Sequence, residues 1–392
     1  MTGPGDQPYR ILHILPDLAI GGGQTVVLEI VRNIDRTRFE PRVAVLGPAN
    51  DLDRAYREAG ANPVRVTDRL APLGLAHLIR RDDIDLVHVH SDPDRKWGQL
   101  AAYLTRTPVV GHLHSLWVHL DRGAPDESRG WRRTRHIVLG RIRDGIERAT
   151  VRHYLAASDT AGDAFSEHAG APVVTYRPGL DLTRFTGRAP DTTRIAARAA
   201  LGVDADALVL VTVGRFVRGK GQARLLPVLA EVLATRPDAV LVFVGDGPTR
   251  VAVAAEAVRL GVAGAVHFAG TRTDVPAVLG AADVFVFASE SESFGIAVLE
   301  AMAMGVPVVA YRLAPLEEFV VDGESGLLVD PDAVAGFAAA VLKLAGDPDG
   351  ARAMGRDGRG LVERGFDATR SVAALEAIYL QALDGRTPRA AK

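Results

Sequence analysis

The sequence predicts an α/β protein built from two tandem doubly wound (Rossmann-like) domains. Three observations carry that prediction. The chain has 392 residues, too many for one average domain and enough for two. Short apolar runs alternate with stretches of helical period, first from Tyr9 to about Gly179 and again from Leu208 onward. Several of the runs end in polar, glycine-containing turns, the pattern of a parallel sheet whose strands feed helices.

In the first series, Tyr9–Leu15 reads as a buried strand, followed by Gly21-Gly22-Gly23-Gln24 and a helix to about Asn33. A glycine-rich turn between strand and helix lets backbone approach a ligand closely. As a dinucleotide fingerprint it fails, because Val26 stands where the third glycine belongs. Further strands are expected at Pro41–Leu46, Pro63–Val66, Leu86–His90, Pro108–His112 and Tyr154–Ala157, with helices between them. Ala189–Leu201 reads as a connecting helix. The second series has strands at Leu208–Val213, Val240–Val244, Ala265–Phe268, Asp283–Phe287 and Val306–Ala310, and a short one near Leu327–Val329. Asp347–Gly365, with its five glycines, reads as turn-rich, and Ser371–Leu383 as a last amphipathic helix before a polar tail.

Composition narrows the function. With 46 Lys plus Arg against 48 Asp plus Glu, the formal charge is −2, and nothing in the balance calls for nucleic acid as a partner. The absence of cysteine excludes disulfides, thiolate metal sites and a cysteine nucleophile, and suits a cytoplasmic protein. The apolar start is broken by His13, Pro16 and Asp17, unlike a signal peptide, and no apolar run approaches the roughly 18 residues of a spanning helix.

The most informative stretch is Ala288–Met304, ASESESFGIAVLEAMAM. It follows the strand Asp283–Phe287 and turns helical at Gly295. In an open α/β sheet such a junction lies at the carboxyl ends of the strands, where ligands bind, and the free N–H groups of a new helix attract anions. Glu292 lies in the turn and Glu300 one helical turn inside. Carboxylates beside an anion site suit an anion flanked by hydroxyl-rich groups, the shape of a nucleotide sugar; alternatively the two glutamates merely favour the positive end of the helix.

After Leu208–Val213 comes Gly214-Arg215-Phe216-Val217-Arg218-Gly219-Lys220-Gly221, which meets seven of the eight positions of a P-loop. Gly221 lacks the hydroxyl that would hold Mg²⁺. What remains is a loop with Arg215 and Lys220 suited to a diphosphate without a metal. The chain has only four lysines, which makes Lys220 more notable. Gly245-Asp246-Gly247-Pro248 ends the next strand as an ordinary turn. The Asp92/Asp94 and Asp330/Asp332 pairs lie in polar turns and are not assigned a metal.

His88, His90, His112 and His114 fall at two strand ends as i, i+2 pairs. They have no acidic partner nearby in sequence and no zinc-site spacing, so a single cleft-facing histidine, His114, is preferred over a metal site. Residues 129–152 carry eight arginines with Leu139, Ile142, Ile146, Ala149 and His153 along one helical face. Such a basic amphipathic helix packs on its own sheet or meets an anionic membrane.

In this order, Glu292-x7-Glu300 with Phe294-Gly295 between, Gly214-Arg215…Lys220-Gly221, Gly245-Asp246-Gly247-Pro248, Gly305-Val306-Pro307-Val308 and Pro178-Gly179-Leu180-Asp181 resemble glycosyltransferase family 4 from Ile11 to about Val329. Gln24 departs from the glutamate found in many relatives. The resemblance implies a GT-B fold: an acceptor-side domain over residues 1–187 and a donor-binding domain over 188–366 facing each other across a cleft, with 367–392 crossing back to the first. It implies a retaining, metal-independent hexosyl transfer from a nucleoside-diphosphate sugar to a hydroxyl acceptor. The catalytic candidates are then Arg215, Lys220, Glu292 and His114. Gly214, Arg215, Lys220 and the backbone of Gly295, Ile296 and Ala297 would hold the diphosphate. Glu300 would bond the ribose, Glu292 and the Phe294 backbone the sugar, and the loop with Arg272 the base. The acceptor would enter beside Gly22, Gly23 and His114. A sugar-nucleotide epimerase of the same architecture is the alternative, and a P-loop-like nucleotidase a more distant one.

Overall fold

The computed structural model describes residues 7–66, 71–90, 94–114, 144–166, 169, 171–187 and 191–384. The chain divides into two compact units, residues 1–179 with 368–392, and residues 180–367. The two crossings run side by side: Leu180 N–H donates to the Phe366 carbonyl at 2.8 Å, and Leu180 bridges Asp367.

The first unit holds a seven-stranded sheet in the order β3-β2-β1-β4-β5-β6-β7. Its strands are β1 (Tyr9–Leu15), β2 (Phe39–Val45), β3 (Val64–Arg65), β4 (Leu86–Val89), β5 (Val109–Leu113), β6 (Val151–Ala156) and β7 (Val173–Thr175). Every pairing is parallel. The central strands are buried along nearly their whole length, as expected of a sheet covered on both faces, which is why they read as continuous apolar runs. The last helix, Ala368–Ala382, belongs to this unit, where the Glu376 carboxylate accepts the Asp35 N–H at 2.7 Å.

The second unit holds a six-stranded parallel sheet in the order β10-β9-β8-β11-β12-β13. The strands are β8 (Leu208–Val213), β9 (Ala239–Val244), β10 (Val266–Gly270), β11 (Val284–Phe287), β12 (Val308–Tyr311) and β13 (Leu327–Val329). Its core is aliphatic and aromatic, with Leu210, Phe243, Val286, Val309 and Phe337 almost wholly enclosed. Arg198, 2% exposed, ties the amino-terminal ends of this sheet together. Its guanidinium donates to the carbonyls of Ala281 and Ala207 at 3.1 and 2.9 Å and to the Asp283 carboxylate at 2.6 Å.

In both sheets the strand order reverses direction beside the first strand of the series, between β1 and β4 and between β8 and β11. Crevices at such switch points are where open α/β sheets bind ligands. The glycine-rich turn of Gly21–Gly23 leaves β1, and the two loops carrying Lys220 and Glu292 leave β8 and β11.

Three local expectations are corrected. Asp347–Gly365 is not turn-rich: Pro348–Gly365 is one 18-residue helix, with Asp347 capping the Gly350 N–H and proline at the first position. Its glycines serve contact rather than turning. A Cβ on Gly355 would overlap the Gly305 carbonyl oxygen, and one on Gly358 would lie 3.1 Å from the Ser325 carbonyl oxygen. The strand β7 was missed, being three half-buried residues at an edge. The expected basic helix ends by residue 150; Arg152 and His153 belong to β6, and residues 129–143 of that stretch lie outside the described residues. Asp92 and the polar tail also lie outside them.

Candidate active site

In the second unit, three loops at the carboxyl ends of neighbouring strands are joined by backbone hydrogen bonds. Gly214 N–H donates to Val244, Phe216 N–H to Asp246 and Thr249 N–H to Phe216, so the loop after β8 is held to the loop after β9. On its other side Glu290 N–H donates to the Gly219 carbonyl at 2.8 Å, and the buried Ser289 hydroxyl donates to the same oxygen at 3.0 Å. Gly219 and Gly221 have φ of 87° and 69°, left-handed values that glycine adopts without steric cost. A Cβ on Gly221 would overlap the Ala288 carbonyl oxygen. The missing P-loop hydroxyl is therefore a packing requirement of this loop pair.

That stitching brings Lys220 and Glu292 together across 72 residues of chain. Lys220 Nζ lies 2.7 and 2.9 Å from the two carboxylate oxygens of Glu292. The Glu292 side chain is 9% exposed and that of Lys220 34%, so the ammonium faces outward over a sheltered carboxylate. Arg215 extends from the same loop, exposed, while its carbonyl accepts from Gln222 Nε2 at 3.0 Å.

Gly295 opens the helix Ile296–Ala303 in a left-handed conformation, φ 107° and ψ 51°, and no side chain caps it. A Cβ there would come 2.5 Å from Leu316 Cδ2. The N–H groups of Ile296 and Ala297, in the first turn, lack intrahelical acceptors and are available to an anion. Glu300, half-buried, lies one turn on from Ile296 on the same side of the helix. Phe294 is 2% exposed and packs on Phe319 and Phe366 with ring centres 4.9 and 5.8 Å away, so only its backbone can meet a ligand.

Arg272 stands apart from this group. It follows β10, two strands from β8, and forms a fork with Asp274 at 2.8 and 2.6 Å, which raises the Arg272 pKa and lowers that of Asp274. Asp330 and Asp332 face Arg312 and Arg224 and serve ion pairs.

In the first unit, Gly22 and Gly23 begin the helix Gly22–Asn33 directly after an extended Gly21. A Cβ on Gly23 would touch His114 Cγ at 3.4 Å, so the glycine lies flat against the imidazole, whereas Gly22 borders open space. Gln24 donates to Asp17 at 3.1 Å.

The histidines form a larger cluster than sequence suggested. His13, in β1, pairs in register with His88 of β4 and joins His88, His90, His112 and His114. His13, His88, His90 and His112 are at most 1% exposed. Ligand atoms of His13, His88 and His90, and likewise of His90, His112 and His114, lie within 4.8 Å of one another, so the sequence argument from spacing does not by itself dispose of a metal. Burial pushes the His13 pKa down to about 3 and that of His114 to about 4, and holds the other three well below the usual value. His13 was missed. The available signal was a histidine inside the apolar run Ile11–Leu15, where a polar residue on a central strand needs an explanation.

Two parallel doubly wound units of this kind are the GT-B architecture. Residues 193–361 match the family described as glycosyl transferases group 1, and residues 20–184 match glycosyltransferase family 4. The chain is 32% identical over 335 residues to the D-inositol 3-phosphate glycosyltransferase of Corynebacterium efficiens, covering 81% of this chain and 77% of that protein. It is 39% identical over 207 residues to the lipopolysaccharide core biosynthesis glycosyltransferase LpsE of Rhizobium meliloti, covering 52% of this chain and 56% of that one. Among solved structures it resembles Anabaena Alr3699/HepE in complex with UDP-glucose, with a TM-score of 0.82 at 21% identity, covering 95% of this chain and 99% of that one. It also resembles WaaG, a glycosyltransferase involved in lipopolysaccharide biosynthesis, with a TM-score of 0.71 at 18% identity, covering 96% of this chain and 100% of that one. The chain belongs to glycosyltransferase family 4.

Proposed function

We propose that the protein transfers a hexosyl group from a nucleoside-diphosphate sugar to an acceptor hydroxyl, with retention of anomeric configuration and without a metal. The observation that carries this is the Lys220–Glu292 pair at the β8/β11 opening, beside the uncapped helix start at Gly295. A leaving diphosphate gains negative charge as the glycosidic bond breaks. Lys220, Arg215 and the N–H groups of Ile296 and Ala297 are donors of the kind that stabilise such charge. Glu292 accepts hydrogen bonds from sugar hydroxyls and sits where positive charge develops on the ring carbon, while Glu300 takes the ribose. When the donor arrives, Lys220 exchanges part of its bond to Glu292 for the phosphates.

The first unit takes the acceptor, with the Gly22–Gly23 backbone and His114 at its carboxyl edge, and the second unit takes the donor. The HepE complex with UDP-glucose makes uridine diphosphate sugars the first donors to try. The named relatives suggest a phosphorylated polyol or a lipopolysaccharide core sugar as acceptor.

The test is a transfer assay with UDP-, GDP- and ADP-hexoses and these acceptors, run with and without EDTA, with the product anomer read by NMR. Undiminished transfer in EDTA and a retained anomer are expected. Turnover that stops in EDTA and returns with Mg²⁺ or Mn²⁺ would falsify metal independence. Release of an epimerised sugar without glycoside would replace transferase by epimerase.

A further inference from the structure

We propose that His13 and His90 are positioning residues that hold His114 neutral and protonated on Nδ1. His13 Nδ1 lies 3.0 Å from His90 Nε2, and His90 Nδ1 lies 3.1 Å from His114 Nε2. In both pairs the ring centres are 5.3 Å apart, with interplanar angles of 16° and 23°. A separation that large is close to the greatest an N···N contact of this length permits, and is reached only when both nitrogens lie near the line joining the ring centres. The nitrogens therefore point at each other, as in straight N–H···N hydrogen bonds, rather than converging on a shared ion.

Three neutral imidazoles carry three ring protons. Each of the two hydrogen bonds holds one. The third must sit at one end of the chain, on His13 Nε2 or on His114 Nδ1, and every N–H then points the same way. The two ends differ. His13 is wholly buried and its Nε2 has no hydrogen-bond partner among the described residues, whereas His114 keeps accessible surface. A buried N–H without an acceptor is among the rarest features of folded proteins, so the bare nitrogen belongs at the His13 end and the proton at His114. Burial, and after it the Arg36 guanidinium, lowers the His13 pKa, so the chain does not gain a fourth proton at that end. His114 thus presents a donor at Nδ1 and is not a base; that this donor meets the acceptor rests on the function proposed above.

The experiment is ¹⁵N NMR of the ligand-free, full-length protein labelled at histidine, which distinguishes the two neutral tautomers ring by ring. His114, His90 and His13 are expected to be protonated on Nδ1. An Nε2-protonated His114, or stoichiometric zinc in the protein as purified, overturns the proposal. His13→Asn keeps a donor where Nδ1 stands and should preserve the His114 tautomer, whereas His13→Leu should release it toward the Nε2–H form that free histidine favours. Turnover should follow, falling about tenfold in the leucine variant, the worth of one hydrogen bond, with donor KM unchanged. If the leucine variant does not fold, the wild-type spectrum and the asparagine variant still decide. The expected tautomer with unimpaired transfer in His114→Ala supports the chain and removes His114 from the acceptor side.

Discussion

Lys220 and Glu292 show how one contact changes what a substitution should do. On the proposed reaction Lys220 and Arg215 face the leaving diphosphate, so Lys220→Ala and Arg215→Ala should each lower kcat on the order of 10²–10³ in a steady-state transfer assay. Either variant turning over like the wild type would withdraw that residue's role. The two glutamates should separate by calorimetric titration with nucleoside diphosphate, which has a ribose but no transferred sugar. Glu300→Ala should weaken that binding by about 1.5–3 kcal/mol, the range for hydrogen bonds to a charged group. Glu292→Ala should leave it nearly unchanged, or slightly tighter because Lys220 is freed, while depressing kcat. The reverse order would mean that the donor lies the other way round. Arg198 is a separate case: replacing it with Met takes the donor from the carbonyls of Ala281, Ala205 and Ala207, while Asp283 keeps Arg194 and the Val209 N–H, and should cost about 1–3 kcal/mol in urea unfolding.

The loop pair after β8 and β11 is a unit whose shape depends on two carbonyls, Gly219 and Ala288, lying against backbone. Gly221→Ser completes a P-loop pattern in sequence, yet it adds a Cβ that overlaps the Ala288 carbonyl and strains a φ of 69°. It should therefore lower thermal stability and transfer together, and gain no Mg²⁺-dependent nucleotide hydrolysis; hydrolysis that appears with Mg²⁺ would refute this account. The helix Pro348–Gly365 makes the same point in the opposite direction. Glycine ordinarily weakens a helix by about 1 kcal/mol relative to alanine, and on propensity alone this segment reads as turns. Gly355 and Gly358 are tolerated because Gly305 and Ser325 lie directly against them. Nothing local announces a contact with residues some fifty and thirty positions earlier in the chain.

For the molecule as a whole, the five clustered histidines make acid the weak side of its stability. The unfolded chain takes up protons on these rings below pH 6.5, and the folded chain does not. Their contribution is therefore complete above pH 6.5, and it falls as the pH drops toward about 4 for His114 and about 3 for His13. Within that window each ring protonated only in the unfolded state costs about 1.4 kcal/mol per pH unit. Urea midpoints measured between pH 7 and pH 5 should fall steeply, and His112→Phe should flatten the slope. An unchanged midpoint would show that these rings are already protonated in the fold. The sequence by itself determined that there are two parallel, doubly wound units and placed the core of most strands, because a strand buried on both faces must be apolar throughout. It also pointed to Lys220, Glu292, Glu300 and Gly295, because turns at strand ends are short and their chemistry is local. Only the tertiary structure decided that Lys220 meets Glu292, that Arg272 turns to Asp274, and that His13 joins the other histidines. The first and last of those contacts follow from strand order and register, which join residues far apart in the chain, and no periodicity along the chain encodes which strands become neighbours; the Arg272–Asp274 fork is local, but which way Arg272 turns is a choice of side-chain conformation.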